Sequence, residues 1–231
     1  MRRNLVTESD TQSEALIKSA IAEAYPDDAY LGEETGASGD ATKHGRWIVD
    51  PLDGTTNYVH GYRCFSVSIA FEREGLVQLG VVYDPMADEL YRARRGQGAF
   101  CNDAALRVTD ARELIDALLV TGFPPQRSDE PPTNLRAFAD LMQLAQAIRR
   151  DGSAALDLCY VAAGRVDGFW ETGLHAWDVA AGTLIVEEAG GRVTDYRGES
   201  AHLDGGHVVA SNGHIHHALL ETLRPYAQEA V

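Results

Sequence analysis

Hydrophobic positions recur every three to four residues near the start of the chain and predict an amphipathic helix there. The apolar face of this helix would comprise Ala15, Leu16, Ile17, Ala20, Ile21 and Ala24. Asp10 or Thr11 can cap its amino end, and Tyr25-Pro26 ends it because proline disfavours helical backbone in the residue before it. We therefore expect a first helix that buries alanine, leucine and isoleucine side chains.

Shorter apolar runs follow with the patterns of strands. They lie at residues 29–31, 47–49, 65–71, 77–83 and 89–93, with a polar, glycine-rich loop over residues 35–45. The pairs Glu74-Gly75 and Asp84-Pro85 separate the last three runs. Because such pairs favour tight turns, these three strands should form an antiparallel meander.

Beyond residue 115 the pattern changes to helices mixed with buried strands. Helices are predicted at 134–148, 154–163, 179–189 and 214–223, and strands at 117–121, 166–170, 192–195 and 207–210. We therefore predict an α+β protein with an N-terminal lobe over residues 1–115 and a C-terminal α/β lobe over residues 116–231. The first lobe should contain an antiparallel sheet and the second a mixed sheet. Because no flexible linker separates them, they should form one compact unit.

Composition narrows the class of protein. The 231 residues carry a formal net charge of −15, which opposes direct binding to nucleic acid. No apolar stretch approaches the roughly 20 residues needed to span a membrane. The three cysteines, Cys64, Cys101 and Cys159, form no CxxC pair, as is typical of a reducing compartment. We expect a cytoplasmic protein that contacts neither membranes nor nucleic acid.

The most informative chemistry lies at the end of the run that includes Trp47–Val49. Asp50 and Asp53 leave this strand three residues apart and would repel each other without a nearby cation. Gly54 and Thr55 then open a short predicted helix, whose first N–H groups could bind an anion. A cation beside an anion indicates a metal-dependent phosphate enzyme. Asp-Gly is also a common turn pair, so an ordinary turn remains an alternative.

Other polar residues have simple explanations when taken singly. Glu33-Glu34 could belong to a solvated loop, and Asp178 could cap a helix at a gain of about 1 kcal/mol. The histidines at 214, 216 and 217 suit the solvated face of a terminal helix better than a metal site. On the residue types alone, these alternatives stay open.

Longer motifs narrow the choice. The segment DPLDGTTNY at Asp50–Tyr58, the segment WDVAAG at Trp177–Gly182 and the triplet Gly32-Glu33-Glu34 resemble signatures of the inositol monophosphatase family. The blocks at Gly152–Leu158 and Gly164–Glu171 are similar to its bacterial members. The resemblance covers nearly the whole chain. It implies a layered αβαβα sandwich and a phosphatase that acts on inositol 1-phosphate.

The resemblance also implies a metal site and a catalytic apparatus. The implied Mg²⁺ ligands are Glu33, Asp50, the carbonyl of Leu52, Asp53 and Asp178, for two to three ions. An all-oxygen ligand set suits a hard cation, so Mn²⁺ could substitute. Thr55 and Asp10 would orient an attacking water that Glu33 helps to activate. Metal-activated water would then hydrolyse a phosphate monoester, and millimolar Li⁺ would inhibit the reaction.

The resemblance also implies which residues recognise the substrate. The backbone N–H groups of Gly54 and Thr55 would hold phosphate oxygens, and Glu171 would accept hydrogen bonds from inositol hydroxyls. The remaining lining residues would be Gly152, Ser153 and Ala154. The substrate would be a small phosphorylated polyol such as myo-inositol 1-phosphate. Histidinol phosphate and fructose 1,6-bisphosphate are alternatives within the same family.

Two further expectations concern partners and chain length. The family favours homodimers, and some bacterial relatives serve as protein-binding partners in the transcription or ribosome machinery. Family members carry a further helix and a loop with a lysine before the motif that contains Asp10, whereas this chain begins only a few residues earlier, at Met1. A misassigned start and a naturally short chain both fit this difference.

Overall fold

The computed structural model describes residues 5–123, 133–200 and 206–227. Within these ranges the helices are α1 (Glu8–Ala24), α2 (Thr55–Val59), α3 (Thr133–Met142), α4 (Ala154–Ala162), α5 (Ala176–Glu188) and α6 (His216–Leu223). The first set of strands comprises β1 (Ala29–Gly32), β2 (Gly36–Ser38), β3 (Arg46–Asp53), β4 (Ser66–Arg73), β5 (Leu76–Asp84), β6 (Glu89–Arg94), β7 (Ala99–Cys101) and β8 (Ala104–Ala105). The second set comprises β9 (Leu118–Thr121), β10 (Ala147–Arg149), β11 (Gly168–Leu174), β12 (Arg192–Thr194) and β13 (Gly206–Ser211).

The strands form two sheets from successive parts of the chain. The larger sheet has the order β2-β1-β3-β4-β5-β6-β7-β8, and the smaller has the order β10-β9-β11-β13-β12. The predicted meander of β4, β5 and β6 is confirmed by its antiparallel pairing. We predicted an antiparallel sheet for this part of the chain. The larger sheet is instead mixed, because β1 and β3 run parallel. Part of the predicted loop over residues 35–45 forms the short strand β2, which pairs with β1.

Helices and sheets alternate in five layers, which confirms the predicted α+β sandwich. Helix α5 lies between the sheets, where Val179, Leu184 and Ile185 join one apolar core with residues of both. Helices α3 and α6 cover the far side of the smaller sheet in a second core around Trp170 and Leu219. The division into lobes at residue 115 stays a prediction. The helices within the described ranges are too short or too polar to cross a membrane.

Helix α1 buries a different face from the one predicted. Thr7 caps it, and its fully buried residues are Asp10 and Glu14. Leu16 is 73% exposed, whereas Ile17 and Ile21 are only half-buried. The apolar-face prediction was wrong because polar groups of the neighbouring loops, rather than apolar side chains, meet this helix.

Two other predictions need correction in the C-terminal half. The helix predicted over residues 134–148 ends at Met142, and residues 147–149 form β10, parallel to β9. His216, expected on a solvated face, is buried between the hydroxyls of Thr194 and Ser211, both 2.9 Å from its ring nitrogens.

Candidate active site

A bulge in β3 brings two aspartates to the same face of the sheet. Asp50 pairs with Ser68 of β4, and Asp53 pairs with Ser66, so three steps along β3 match two along β4. Side chains alternate along a strand, and residues three apart would normally point to opposite faces. The one extra residue reverses this relation. Both carboxylates are therefore buried on one side, with Asp50 1% and Asp53 8% exposed.

The first turn of α5 supplies the third carboxylate. This helix begins at Ala176 rather than at the predicted residue 179, and His175 occupies its cap position. Asp178 accepts a hydrogen bond from the backbone N–H of His175 at 2.6 Å, which confirms that it helps to cap the helix. Each of Asp50, Asp53 and Asp178 also offers a carboxylate oxygen, and these atoms lie within 4.8 Å of one another.

Burial and repulsion from neighbouring carboxylates disfavour ionisation of Asp50 and Asp53. Burial and the charges of Glu33, Asp53 and Asp178 raise the pKa of Asp50 well above its usual range. Burial and Asp178 raise the pKa of Asp53 to about 7, despite hydrogen bonds that favour the ionised form. A cation placed among the three carboxylates would replace the protons that Asp50 and Asp53 otherwise retain.

The structure brings Glu33 to the same cluster. Its backbone N–H donates to the carbonyl of Val49 at 3.2 Å, which continues the pairing of β1 with β3. Burial is the largest influence on its carboxyl and raises its pKa to about 7, partly offset by a hydrogen bond with Asp50. Glu33 is thus a neighbour of the aspartates rather than part of a solvated loop.

Thr55 links the cluster to α1. Its hydroxyl lies 3.1 Å from a carboxylate oxygen of Asp10 and 3.1 Å from the carbonyl oxygen of Leu52. Asp10 is fully buried, and its other oxygen accepts hydrogen bonds from the backbone and hydroxyl of Thr7. Asp10 and Thr55, predicted to act together, therefore lie together, and the carbonyl of Leu52, predicted as a metal ligand, is beside them.

Ser153 makes a hydrogen bond to Asp53 that its sequence context does not predict. Its hydroxyl donates to Asp53 at 2.5 Å, and the N–H of Ala155 donates to the same oxygen at 2.8 Å. Ser153 also caps α4. A serine before an alanine-rich helix indicates a cap, but nothing in that pattern indicates which carboxylate would approach it.

The glycines of the two predicted substrate loops face each other. Gly54 and Gly152 have φ of 94° and 90°, and a Cβ on Gly54 would lie 3.2 Å from the carbonyl oxygen of Gly152. Asn57 joins the loops by donating to the carbonyls of Cys64 and Asp151 at 2.7 and 2.8 Å. Ala154 follows at the start of α4 and is buried.

Glu171 lies on β11 beside the cluster and is 7% exposed. Burial, followed by repulsion from Asp178 and Asp53, raises the pKa of its carboxyl well above the usual range. Its carboxylate occupies the space next to Gly122, where a Cβ would overlap it. All the residues predicted for the site therefore lie around one acidic centre.

The types of ligand atom in the cluster of Asp50, Asp53 and Asp178 indicate which metal ions could bind there. Three carboxylates converge, no histidine or cysteine joins their cluster among the described residues, and burial and repulsion raise the pKa values of Asp50 and Asp53. Hard divalent cations bind such oxygen ligands, whereas zinc prefers nitrogen and sulfur. The residues present fit a hard cation.

Comparison with known proteins agrees with the fold. The model of the inositol monophosphatase family matches residues 2–228. An inositol-1-monophosphatase of Mesorhizobium japonicum is 49% identical over 95% of this chain and 82% of its own length. The Nus factor SuhB of Pasteurella multocida is 48% identical over the same shares. The structure of an Anabaena (Nostoc) inositol monophosphatase matches with a TM-score of 0.92 and 46% identity, over 95% of this chain and 87% of that one.

The chain therefore belongs to the inositol monophosphatase family, as its motifs predicted. Membership implies a phosphatase, and members of the family are generally metal-dependent.

Proposed function

We propose that this protein is a Mg²⁺-dependent phosphomonoesterase whose preferred substrate is myo-inositol 1-phosphate. The observation that carries the proposal is the convergence of Asp50, Asp53 and Asp178 within 4.8 Å beside Thr55 and Gly54. The name of the Mesorhizobium japonicum relative, an inositol-1-monophosphatase, supports the choice of substrate.

The proposed ligands of two to three Mg²⁺ ions are Glu33, Asp50, the carbonyl of Leu52, Asp53 and Asp178. When bound, Mg²⁺ would lower the pKa of water and neutralise charge on the phosphate. Mn²⁺ should substitute because it accepts the same oxygen ligands. The carboxylates would bind the cation in their ionised form, so metal uptake should release protons near neutral pH.

The chain's own residues would orient the attacking water. Thr55 would accept a hydrogen bond from the water while its own hydroxyl donates a hydrogen bond to Asp10, the partner at 3.1 Å. This donation leaves the lone pairs of the hydroxyl oxygen free to face the water. Glu33 in its ionised form would accept the one proton that the water loses as it attacks the phosphate.

The phosphate group would bind at the start of α2, and the polyol would bind beside Glu171. The first amides of an α-helix have no acceptor within the helix, so the N–H groups of Gly54 and Thr55, at the start of α2, would donate to phosphate oxygens. Glu171 would accept hydrogen bonds from polyol hydroxyls, with Gly152 and Ala154 beside it. Ser153, also predicted to line this side, uses its hydroxyl for Asp53 and would contribute only its backbone.

Phosphate release measured with and without Mg²⁺ tests this proposal. We expect Mg²⁺-dependent activity on inositol 1-phosphate that millimolar Li⁺ inhibits, and a loss of at least about 100-fold in Asp53→Asn. Asp27→Asn, an exposed substitution with the same change of charge, is the matched control. Full activity in Asp53→Asn would refute the metal site. A preference for histidinol phosphate or fructose 1,6-bisphosphate in the same assay would refute only the substrate.

A second candidate function is association with the transcription or ribosome machinery, because a 48% identical relative is named Nus factor SuhB. A pull-down with wild type and the inactive Asp53→Asn variant separates the two roles. Retention of transcription or ribosomal proteins by both would support the second function, and their absence from both would refute it. We also propose a homodimer, which light scattering of the purified protein would test.

A further inference from the structure

We propose that Glu14 is a positioning residue that holds Glu33 at the metal site through the backbone that follows it. Glu14 lies on α1, one helical turn beyond Asp10, and is fully buried. Its role rests on the proposed function, in which Glu33 is a metal ligand.

Among the described residues, the donors that hydrogen-bond to the Glu14 carboxylate belong to the turn that contains Glu33. One carboxylate oxygen accepts the N–H of Glu34 at 2.8 Å. The other accepts the N–H of Thr35 at 3.0 Å and the Thr35 hydroxyl at 2.5 Å. Thus three donors from two consecutive residues converge on one buried side chain.

These contacts complete the fixation of the backbone around Glu33. Its own N–H is held by Val49 of β3, and the next two N–H groups are held by Glu14. The path of the chain on both sides of Glu33 is therefore determined before any ligand binds. The direction in which its carboxylate leaves the backbone follows from that path.

The surroundings of Glu14 show that the site is built for this carboxylate. A Cβ on Gly32 would lie 2.5 Å from one of its oxygens, so the neighbouring strand ends in the one residue that leaves room. Lys18, the next residue on the same face of α1, donates to the Thr35 hydroxyl at 3.0 Å. That hydroxyl can therefore accept from Lys18 while it donates to Glu14.

Helix α1 thereby serves two groups of the site at once. Asp10 receives the Thr55 hydroxyl, and Glu14 receives the turn after Glu33. Two buried acidic side chains four residues apart repel each other, which disfavours this pair unless each has its own donors. Because Asp10 and Glu14 each accept hydrogen bonds from their own donors, both can lie on the buried face of α1.

A Glu14→Gln substitution would disrupt the hydrogen bonds from Glu34 and Thr35 with little change in the shape of the side chain. An amide group has one acceptor oxygen, and its NH₂ group would face a backbone N–H donor. We expect Glu14→Gln to weaken Mn²⁺ binding by about 10-fold or more, as is typical when a partner of a metal ligand is lost. Glu23→Gln, at an exposed position of the same helix, should bind Mn²⁺ as wild type does.

The measurement is a Mn²⁺ titration of the substrate-free protein, followed by the electron paramagnetic resonance signal of the free ion. Faster hydrogen exchange at the amides of Glu34 and Thr35 should accompany the loss of affinity. A purely structural role would lower the melting temperature and leave the Mn²⁺ isotherm unchanged, and that result would overturn the proposal.

A second pair of variants keeps the test decisive if Glu14→Gln does not fold. Thr35→Val removes only the hydroxyl donor and should weaken Mn²⁺ binding, whereas Thr35→Ser should restore it. Equal isotherms for valine and serine would overturn the proposal. Wild type that binds Mn²⁺ but releases no phosphate would refute only the proposed function, because the isotherms of the variants still decide the role of Glu14. Wild type that binds no Mn²⁺ would refute both.

Discussion

The Ser153 hydroxyl donates a 2.5 Å hydrogen bond to Asp53, a residue 100 positions earlier in the chain. Through this bond the start of α4 holds a carboxylate that leaves the end of β3. The orientation of Asp53 thus depends on contacts between distant parts of the chain, and substitutions outside the acidic cluster should alter metal binding.

Ser153→Ala should raise the Mg²⁺ concentration required for half-maximal activity by about 10-fold, because Asp53 loses an orienting donor. The free energy of unfolding should fall by about 1 kcal/mol through loss of the helix cap. Ser153→Thr, which keeps a hydroxyl, should restore both. An unchanged Mg²⁺ requirement in a destabilised Ser153→Ala variant would show that Ser153 is only a cap.

Gly122→Ala should impair recognition of the polyol, because the added methyl group would displace the Glu171 carboxylate. We expect KM for inositol 1-phosphate to rise several-fold, with a smaller change for an aryl phosphate that has no hydroxyls to recognise. Steady-state kinetics with both substrates would measure the difference.

The matched control for Gly122→Ala is its combination with Glu171→Ala. Once the carboxylate has been removed, the methyl group has nothing to displace, so the second substitution should add little further loss. Additive losses in the double variant would exclude this contact as the cause.

Mg²⁺ should stabilise the protein more at pH 8 than at pH 5. The pKa of Asp53 rises from 3.8 to about 7 on folding, so this residue stabilises the fold most below pH 3.8. That contribution decreases as the pH rises through 7, where the buried carboxylate loses its proton without a counter-charge. A cation supplies the charge at pH 8, whereas at pH 5 it must displace protons.

Thermal melts at both pH values, with and without Mg²⁺, would measure this effect as a difference of several degrees. Asp53→Asn should show a smaller pH dependence and a smaller response to Mg²⁺. An equal Mg²⁺ response of wild type at the two pH values would contradict the assignment of these carboxylates.

His216 should make the fold sensitive to mild acid. Burial, with a smaller contribution from Arg192, lowers its pKa from 6.5 to about 4, so it stays neutral in the folded protein. The unfolded chain takes up a proton below pH 6.5 and the folded chain does not, so this contribution is lost as the pH falls. The loss should reach about 2 kcal/mol by pH 5.

Urea denaturation at several pH values would isolate the effect of His216. His216→Gln should be less stable than wild type at pH 7 but should lose less stability between pH 6.5 and pH 5. His217→Gln, at an exposed position beside it, should keep the wild-type pH dependence. The same pH dependence in all three proteins would exclude His216 as the titrating group.

Much of this protein was predictable because its local signals are strong. The alternation of residues in β4 to β6, with turn pairs between them, was sufficient for the meander. The motifs around Asp50, Glu33 and Asp178 were sufficient for the family and for the residues of the acidic centre. The end of α3 was not predictable, because residues 147–149 become a strand only by pairing with β9.

The sequence by itself therefore determined the family and pointed to the carboxylates of the acidic centre, since residue types and spacing are local properties. Only the tertiary structure decided how those residues are held. The extra residue in β3 turns Asp50 and Asp53 to one face, and α4 supplies Ser153 to Asp53. On α1, Asp10 and Glu14 are buried and Leu16 is exposed, because the residues around the site present N–H and hydroxyl donors that these two carboxylates accept.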